Sequence, residues 1–183
     1  GQIGQLNSVQ VHEVAQLESS APDALWYQEP NFGWNYFAGN MDLPSFKDNR
    51  VRQALQLSID YAMLGNASGD WLYSGPHHVM FPESHSSDEI KAIAGYNPDT
   101  KEQDIAEAQK LMAAAGYEGG AGVSFDLTQS AGAGLGYDTA IRLQEHWAQV
   151  FPQLNMSITV VSDYAAFTNL LATRQSEARV AHH

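Results

Sequence analysis

Apolar and polar positions along the chain repeat with two periods. Val51, Ala54, Leu55, Ser58, Ile59 and Ala62 recur at helical spacing behind Asp48 and Asn49, either of which can cap a first turn. Ile105, Ala108, Leu111, Met112 and Ala115 predict a second helix over about 102–115, with Gly116 placed for a left-handed stop. Residues 137–150 carry Ile141, Leu143 or Gln144, Trp147 and Ala148 on one side, and residues 163–173 continue as helix. A short helix over about 8–19 ends at Ser19-Ser20-Ala21-Pro22, because proline restricts the residue before it and cannot continue a helix.

A period of two marks the strands. Phe32, Trp34, Tyr36 and Ala38 keep step through 31–40, Val123, Phe125 and Leu127 alternate with polar residues, and Met156 to Val161 forms a further strand. Residues 65–87 are rich in Gly, Ser, Pro and His and read as a long excursion. This order of elements, without an internal repeat, is that of a mixed α/β domain.

Composition narrows the function. With 183 residues and 44% hydrophobic content the chain can bury a real core. Nine Lys+Arg against 21 Asp+Glu give a net charge of −12, which excludes a phosphate-backbone binder. Without cysteine there is no thiol catalysis, disulfide or thiolate metal site, and the absence fits an extracytoplasmic protein.

Candidate chemistry is sparse. His77, His78 and His85 with Glu83 offer imidazole and carboxylate ligands, although adjacent histidines rarely share one ion. Gly132 to Gly136 lies between a strand and a helix but lacks both the Gly-Lys-Ser/Thr of a phosphate loop and the dinucleotide spacing. No Gly-x-Ser-x-Gly elbow is present. Arg50 and Arg52 stand about 200° apart around a helix, so they tie the helix start to different neighbours and form no single anion site. Aromatics at Trp34, Tyr36 and Tyr164 suit either a core or the walls of a ligand site.

The stretch PSFKDNRVRQALQLSID, with Phe46, Asp48, Arg50, Val51, Arg52, Ala54, Leu55, Ile59 and Asp60, resembles the signature of the family 5 solute-binding proteins. WNYFAGN, ending at Asn40, is similar to that family's aromatic strand. Tyr96-Asn97-Pro98 and the helix closing on Ala115-Gly116-Tyr117 resemble its next motif. Tyr61, Ser58 and Phe151-Pro152 depart from the pattern without disturbing its framework.

The resemblance implies the second lobe of a type II periplasmic-binding-protein-like fold. It places residues 1–30 near the crossing between lobes and residues 31–174 in the α/β lobe. It leaves 175–183, ending in His182-His183, as a truncated return segment or tag remnant. It also implies an extracytoplasmic, non-enzymatic receptor without a cofactor, whose partners are a peptide or other small solute, a first lobe and an ABC permease. Tyr36, Gln129, Ser130 and Tyr164 become the expected ligand contacts, while Phe46, Asp48, Arg50, Arg52 and Asp60 become framework. The competing reading is an autonomous metal-binding or enzymatic domain using the His77, His78 and His85 loop.

Overall fold

The structure, a computed structural model, describes residues 11–26, 35–66, 87–131 and 135–182. In chain order these form α1 (Val11–Ser20), β1 (Asn35–Gly39), α2 (Pro44–Lys47), α3 (Asn49–Ser58), α4 (Tyr61–Asn66), α5 (Ser87–Lys91) and α6 (Lys101–Ala114). There follow β2 (Ser124–Ser130), α7 (Leu135–Val150), β3 (Asn155–Val161), α8 (Tyr164–Ala172) and β4 (Ala178–His182). The strands make one sheet in the order β1-β4-β2-β3, with β4, β2 and β3 parallel and β1 antiparallel at the edge.

Period-2 alternation divides each strand between two faces. Phe125 and Leu127 of β2 and Ala178 and Val180 of β4 point to one face and are buried. Phe37 of β1 joins them, its ring 5.2 Å from that of Trp147 on α7. This inner face is the core. Ala140, Leu143, Trp147 and Val150, spaced at three and four residues along α7, lie over it. Val51, Ala54 and Leu55 of α3, and Ala108 and Met112 of α6, are buried in the same cluster. Phe46 closes one end, its ring 5.1 Å from that of Phe125. It lies so near the backbone of β1 that a Cβ on Gly39 would sit 2.7 Å from the ring.

Polar groups fix the helix ends to this layer. Asp48 caps α3 by accepting from Arg50 N at 2.8 Å, and the same carboxylate takes the Arg50 guanidinium at 2.6 Å. Those bonds hold the Asp48 carboxyl down at about 2. Arg50 also donates to Ala114 O at the end of α6, whereas Arg52 donates to the carbonyls of Phe46 and Lys47. Asp60 accepts from Met63 N and starts α4. Three carbonyls at and just beyond the C-terminus of α3 are taken by side chains from elsewhere. Lys101 donates to Leu57 O at 3.2 Å and Ile59 O at 2.7 Å, and also to Gly95 O. His146 Nε2 lies 2.6 Å from Ser58 O, which can only accept, so this nitrogen carries the proton. Trp147 Nε1 donates to the buried Ser58 hydroxyl at 3.0 Å, which gives that polar departure from the family pattern a partner.

The helix after β2 and the helix after β3 leave in opposite directions. The step from β2 to β3 crosses the sheet one way, and the step from β3 to β4 returns past β2. Right-handed crossovers then put α7 and α8 on opposite faces. The packing agrees: α7 supplies four core residues, while α8 touches β2 and β3 and adds nothing to the core.

The segment read as a truncated return segment or tag remnant contains a strand among its described residues. Residues 178–182 are the strand β4, inserted between β1 and β2. Asn40 secures its entry, donating through Nδ2 to Arg174 O at 3.1 Å while its backbone N–H donates to Glu177 O at 2.7 Å. Gly116 takes a φ of 90° at the end of α6, as its position predicts. Arg174 adopts a φ of 57° at the corresponding place after α8. Both ends close with the paired backbone bonds of a Schellman stop.

Candidate ligand-binding edge of the sheet

The outer face is built from the alternate residues of the same strands. Asp126 lies in register with Ser157. Its carboxylate accepts from Ser157 Oγ at 2.7 Å and from Thr159 Oγ1 at 2.9 Å. Its backbone N–H donates to the Glu177 carboxylate at 2.7 Å. Further along, Tyr36 pairs with Ala181 across β1 and β4, and Ser130 pairs with Val161 across β2 and β3. Extending the Leu127–Ala178 register by three residues brings Ser130 beside Ala181. Tyr36, Ala181, Ser130 and Val161 therefore form one row at the carboxyl ends of the parallel strands.

Beyond this row β2 leads into α7 on the inner side and β3 into α8 on the outer side. Adjacent parallel strands whose connections part in this way leave a crevice between them, the place where open α/β sheets take ligands. Ala131 N donates to Val161 O at 2.9 Å and holds the two exits together. Asp163 caps α8, accepting from Ala166 N at 2.6 Å, and places Tyr164 at its first position, 70% exposed.

The expected contacts thus separate. Ser130 ends β2 and Tyr164 begins the helix after β3, one at each exit of this switch point. Tyr36 lies in the same row but on the far side of β4, three strand spacings from β3, or about 14 Å. Gln129, expected at the ligand, is 1% exposed and points inward with Phe125 and Leu127; its Nε2 donates to Val180 O at 3.0 Å. Alternation alone excludes it from the outer face that Ser130 joins. Arg179, which the sequence reading passed over, lies on the outer face and donates from Nη2 to the Tyr36 hydroxyl at 3.1 Å. Its position in the alternation of β4 was the available signal, hidden because β4 itself was not recognised as a strand.

Trp34, Gly132 to Gly134, and the loop with His77, His78, Glu83 and His85 lie outside the described residues. Among the described residues no group of three or more His, Asp or Glu is placed to hold a metal ion, and no helix is long and apolar enough to cross a membrane.

Residues 1–180 match the family described as bacterial extracellular solute-binding proteins, family 5 Middle. The chain belongs to that family. Solved structures carry the same fold at low identity. A substrate-binding protein of an ABC transporter from Listeria monocytogenes, CtaP, aligns over 96% of this chain and 34% of its own, at 17% identity and a TM-score of 0.75. DppA of Helicobacter pylori, solved with the peptide STSA, aligns over 96% and 31% at 17% identity and a TM-score of 0.73. The murein tripeptide binding protein MppA of Escherichia coli aligns over 96% and 33% at 18% identity and a TM-score of 0.71. The chain therefore spans about a third of the length of these structures. No curated protein matches at a significant level.

Within this family 5 chain, the signature residues serve the framework. Phe46 packs the core, Asp48 and Asp60 cap helices, and Arg50 and Arg52 reach different backbone carbonyls. Tyr61, which stands where the family usually has arginine, stacks on Tyr96 with ring centroids 4.3 Å apart. Their hydroxyls are 3.1 Å apart. Burial, then the neighbouring Tyr96, pushes the Tyr61 phenol well above the usual tyrosine value.

Proposed function

We propose that the chain is the second lobe of an extracytoplasmic receptor that captures peptides and delivers them to an ABC importer, without catalysing a reaction. The observation that carries this reading is the topological switch point between β2 and β3, where ligands of open α/β sheets bind, in a chain whose family binds solutes. Two of the similar structures bind peptides by name: a murein tripeptide binding protein and DppA with a bound peptide. In the complete receptor a first lobe closes over this edge and buries the solute by hinge motion, forming the surface that the permease meets.

Ser130 supplies a hydroxyl at the crevice and Tyr164 an exposed ring against which a side chain can lie. Gln129 acts from below, bracing β2 against β4. One lobe presents half of a cleft, so its own affinity is weak. Calorimetric titration of the chain with tetra-alanine is expected to show saturable binding in the millimolar range, with alanine itself giving none. Absence of peptide binding at the highest soluble concentration would overturn the reading.

A further inference from the structure

The ligand edge gives no role to the pair that Tyr61 makes with Tyr96, and Tyr61 is itself a departure from the family pattern. The two rings are stacked, with centres 4.3 Å apart and planes 14° from parallel. Their hydroxyls lie 3.1 Å apart, so the rings overlap with the same ends together. Among the ring contacts of the described residues, this one alone joins two tyrosines. Both residues are half-buried, near enough to the surface to lose an electron to a small oxidant.

The stack is held from both sides. Lys101 donates to Ile59 O, two residues before Tyr61, and to Gly95 O, directly before Tyr96. Its ammonium also lies 5.9 Å from the centre of the Tyr61 ring. Gln56 Nε2 donates to Ala94 O at 3.3 Å. Gly95 takes a φ of 91°, and a Cβ there would lie 3.3 Å from Leu57 Cα, so the segment that carries Tyr96 runs close against the end of α3.

This geometry favours one reaction. Oxidation of a phenol by one electron, with loss of its proton, gives a radical shared between the oxygen and the ring carbons ortho and para to it. In tyrosine the para carbon carries the side chain, which leaves the ortho carbons. The unpaired electron occupies an orbital perpendicular to the ring, so two such radicals bond most readily face to face. Stacked rings with adjacent hydroxyls bring their ortho carbons to the same end of the stack.

We propose that Tyr61 and Tyr96 are a modification site, at which an oxidant of the peroxide class joins them in an intramolecular dityrosine crosslink. Each ring gives up one electron and its phenolic proton, and a carbon–carbon bond forms between one ortho carbon of each. The hydrogens on those carbons move to the oxygens and restore both phenols. The two electrons and two protons released reduce one hydrogen peroxide to two waters through a peroxidase. The chain has no cysteine, so this bond takes the place that a disulfide would hold, joining positions 35 residues apart and restricting the unfolded chain. The inference is independent of the solute reading.

The test treats the dilute chain with a peroxidase and hydrogen peroxide, then reads its tryptic peptides by mass spectrometry. Cleavage after Lys and Arg places Tyr61 in residues 53–91 and Tyr96 in residues 92–101. The expected product is these two peptides joined, two hydrogens lighter than their sum, from a chain that still runs as a monomer in a denaturing gel. Tyr61→Phe and Tyr96→Phe, which keep the rings, are each expected to abolish it. Tyr73→Phe, at the remaining tyrosine of the two peptides, is expected to leave it unchanged. Absence of the joined peptide under conditions that couple free tyrosine overturns the proposal. So does its persistence in Tyr61→Phe, or an equal yield from the chain unfolded in urea, where the fold no longer sets the stack.

Discussion

The two faces of this sheet are drawn from alternate residues of the same strands, yet they are different materials. On the inner face Phe37 and Phe125 meet Trp147, Leu127 and Val180 belong to the same cluster, and nearly all of that surface is withdrawn from water. On the outer face Asp126, Ser157, Thr159 and Arg179 bond mainly to one another and to Tyr36, and α8 covers part of it without burying any residue of its own. The difference teaches where stability resides: the inner face keeps the lobe folded, and the outer face, with the edge it shares, is where the proposed solute contacts lie.

Paired substitutions on the two faces break or sharpen this contrast. The largest effect is expected on the inner face, where Trp147→Ala opens a cavity and leaves the Ser58 hydroxyl without its donor. It is expected to cost about 3–5 kcal/mol in urea unfolding. The outer-face change Thr159→Ala is expected to cost less than about 1 kcal/mol. A loss of similar size from both would erase the distinction.

Next in size is an insertion. Gly39→Ala drives a methyl group into the Phe46 ring and is expected to cost about 1–3 kcal/mol. Ala38→Ser, one residue earlier on β1, adds an atom to the outer face and is expected to change stability by less than about 0.5 kcal/mol.

Alkali gives a third contrast. The Tyr61 phenol is raised in the folded state, so its contribution is complete below the ordinary tyrosine value and is lost as pH climbs beyond it. Stability is expected to fall there by up to about 1.4 kcal/mol per pH unit. Tyr61→Phe is expected to flatten that limb in pH-dependent melting curves.

The last effect is a gain. Arg174 occupies a left-handed position that Gly116 fills after α6, so Arg174→Gly is expected to stabilise by about 0.5–1 kcal/mol without touching the inner face.

The inner layer was legible in the sequence because burial imposes a period. The spacing of Val51, Ala54, Leu55 and Ser58 located α3, Phe125 and Leu127 located β2, and Gly116 marked the stop of α6. The clamp at the end of α3 was not legible. Lys101 reads as one surface lysine among nine basic residues, and only the fold brings three carbonyls to its ammonium. The strand β4 is five residues long, with an arginine second and a histidine last, and its pairing depends on strands far away in sequence. Missing that strand also hid Arg179. Gln129 shows the opposite error: a polar residue beside a turn suggests a ligand contact, but its parity along β2 commits it to the core.

The most direct test of the central claim, that the solute meets the carboxyl-end edge and leaves the inner layer undisturbed, is an amide chemical-shift map of the chain titrated with tetra-alanine. The account predicts shifts concentrated at Tyr36, Ser130, Val161, Ser162 and Tyr164, with Met112, Phe125 and Trp147 unmoved. Shifts confined to α3, α6 and the inner side of α7, with the edge silent, would contradict it.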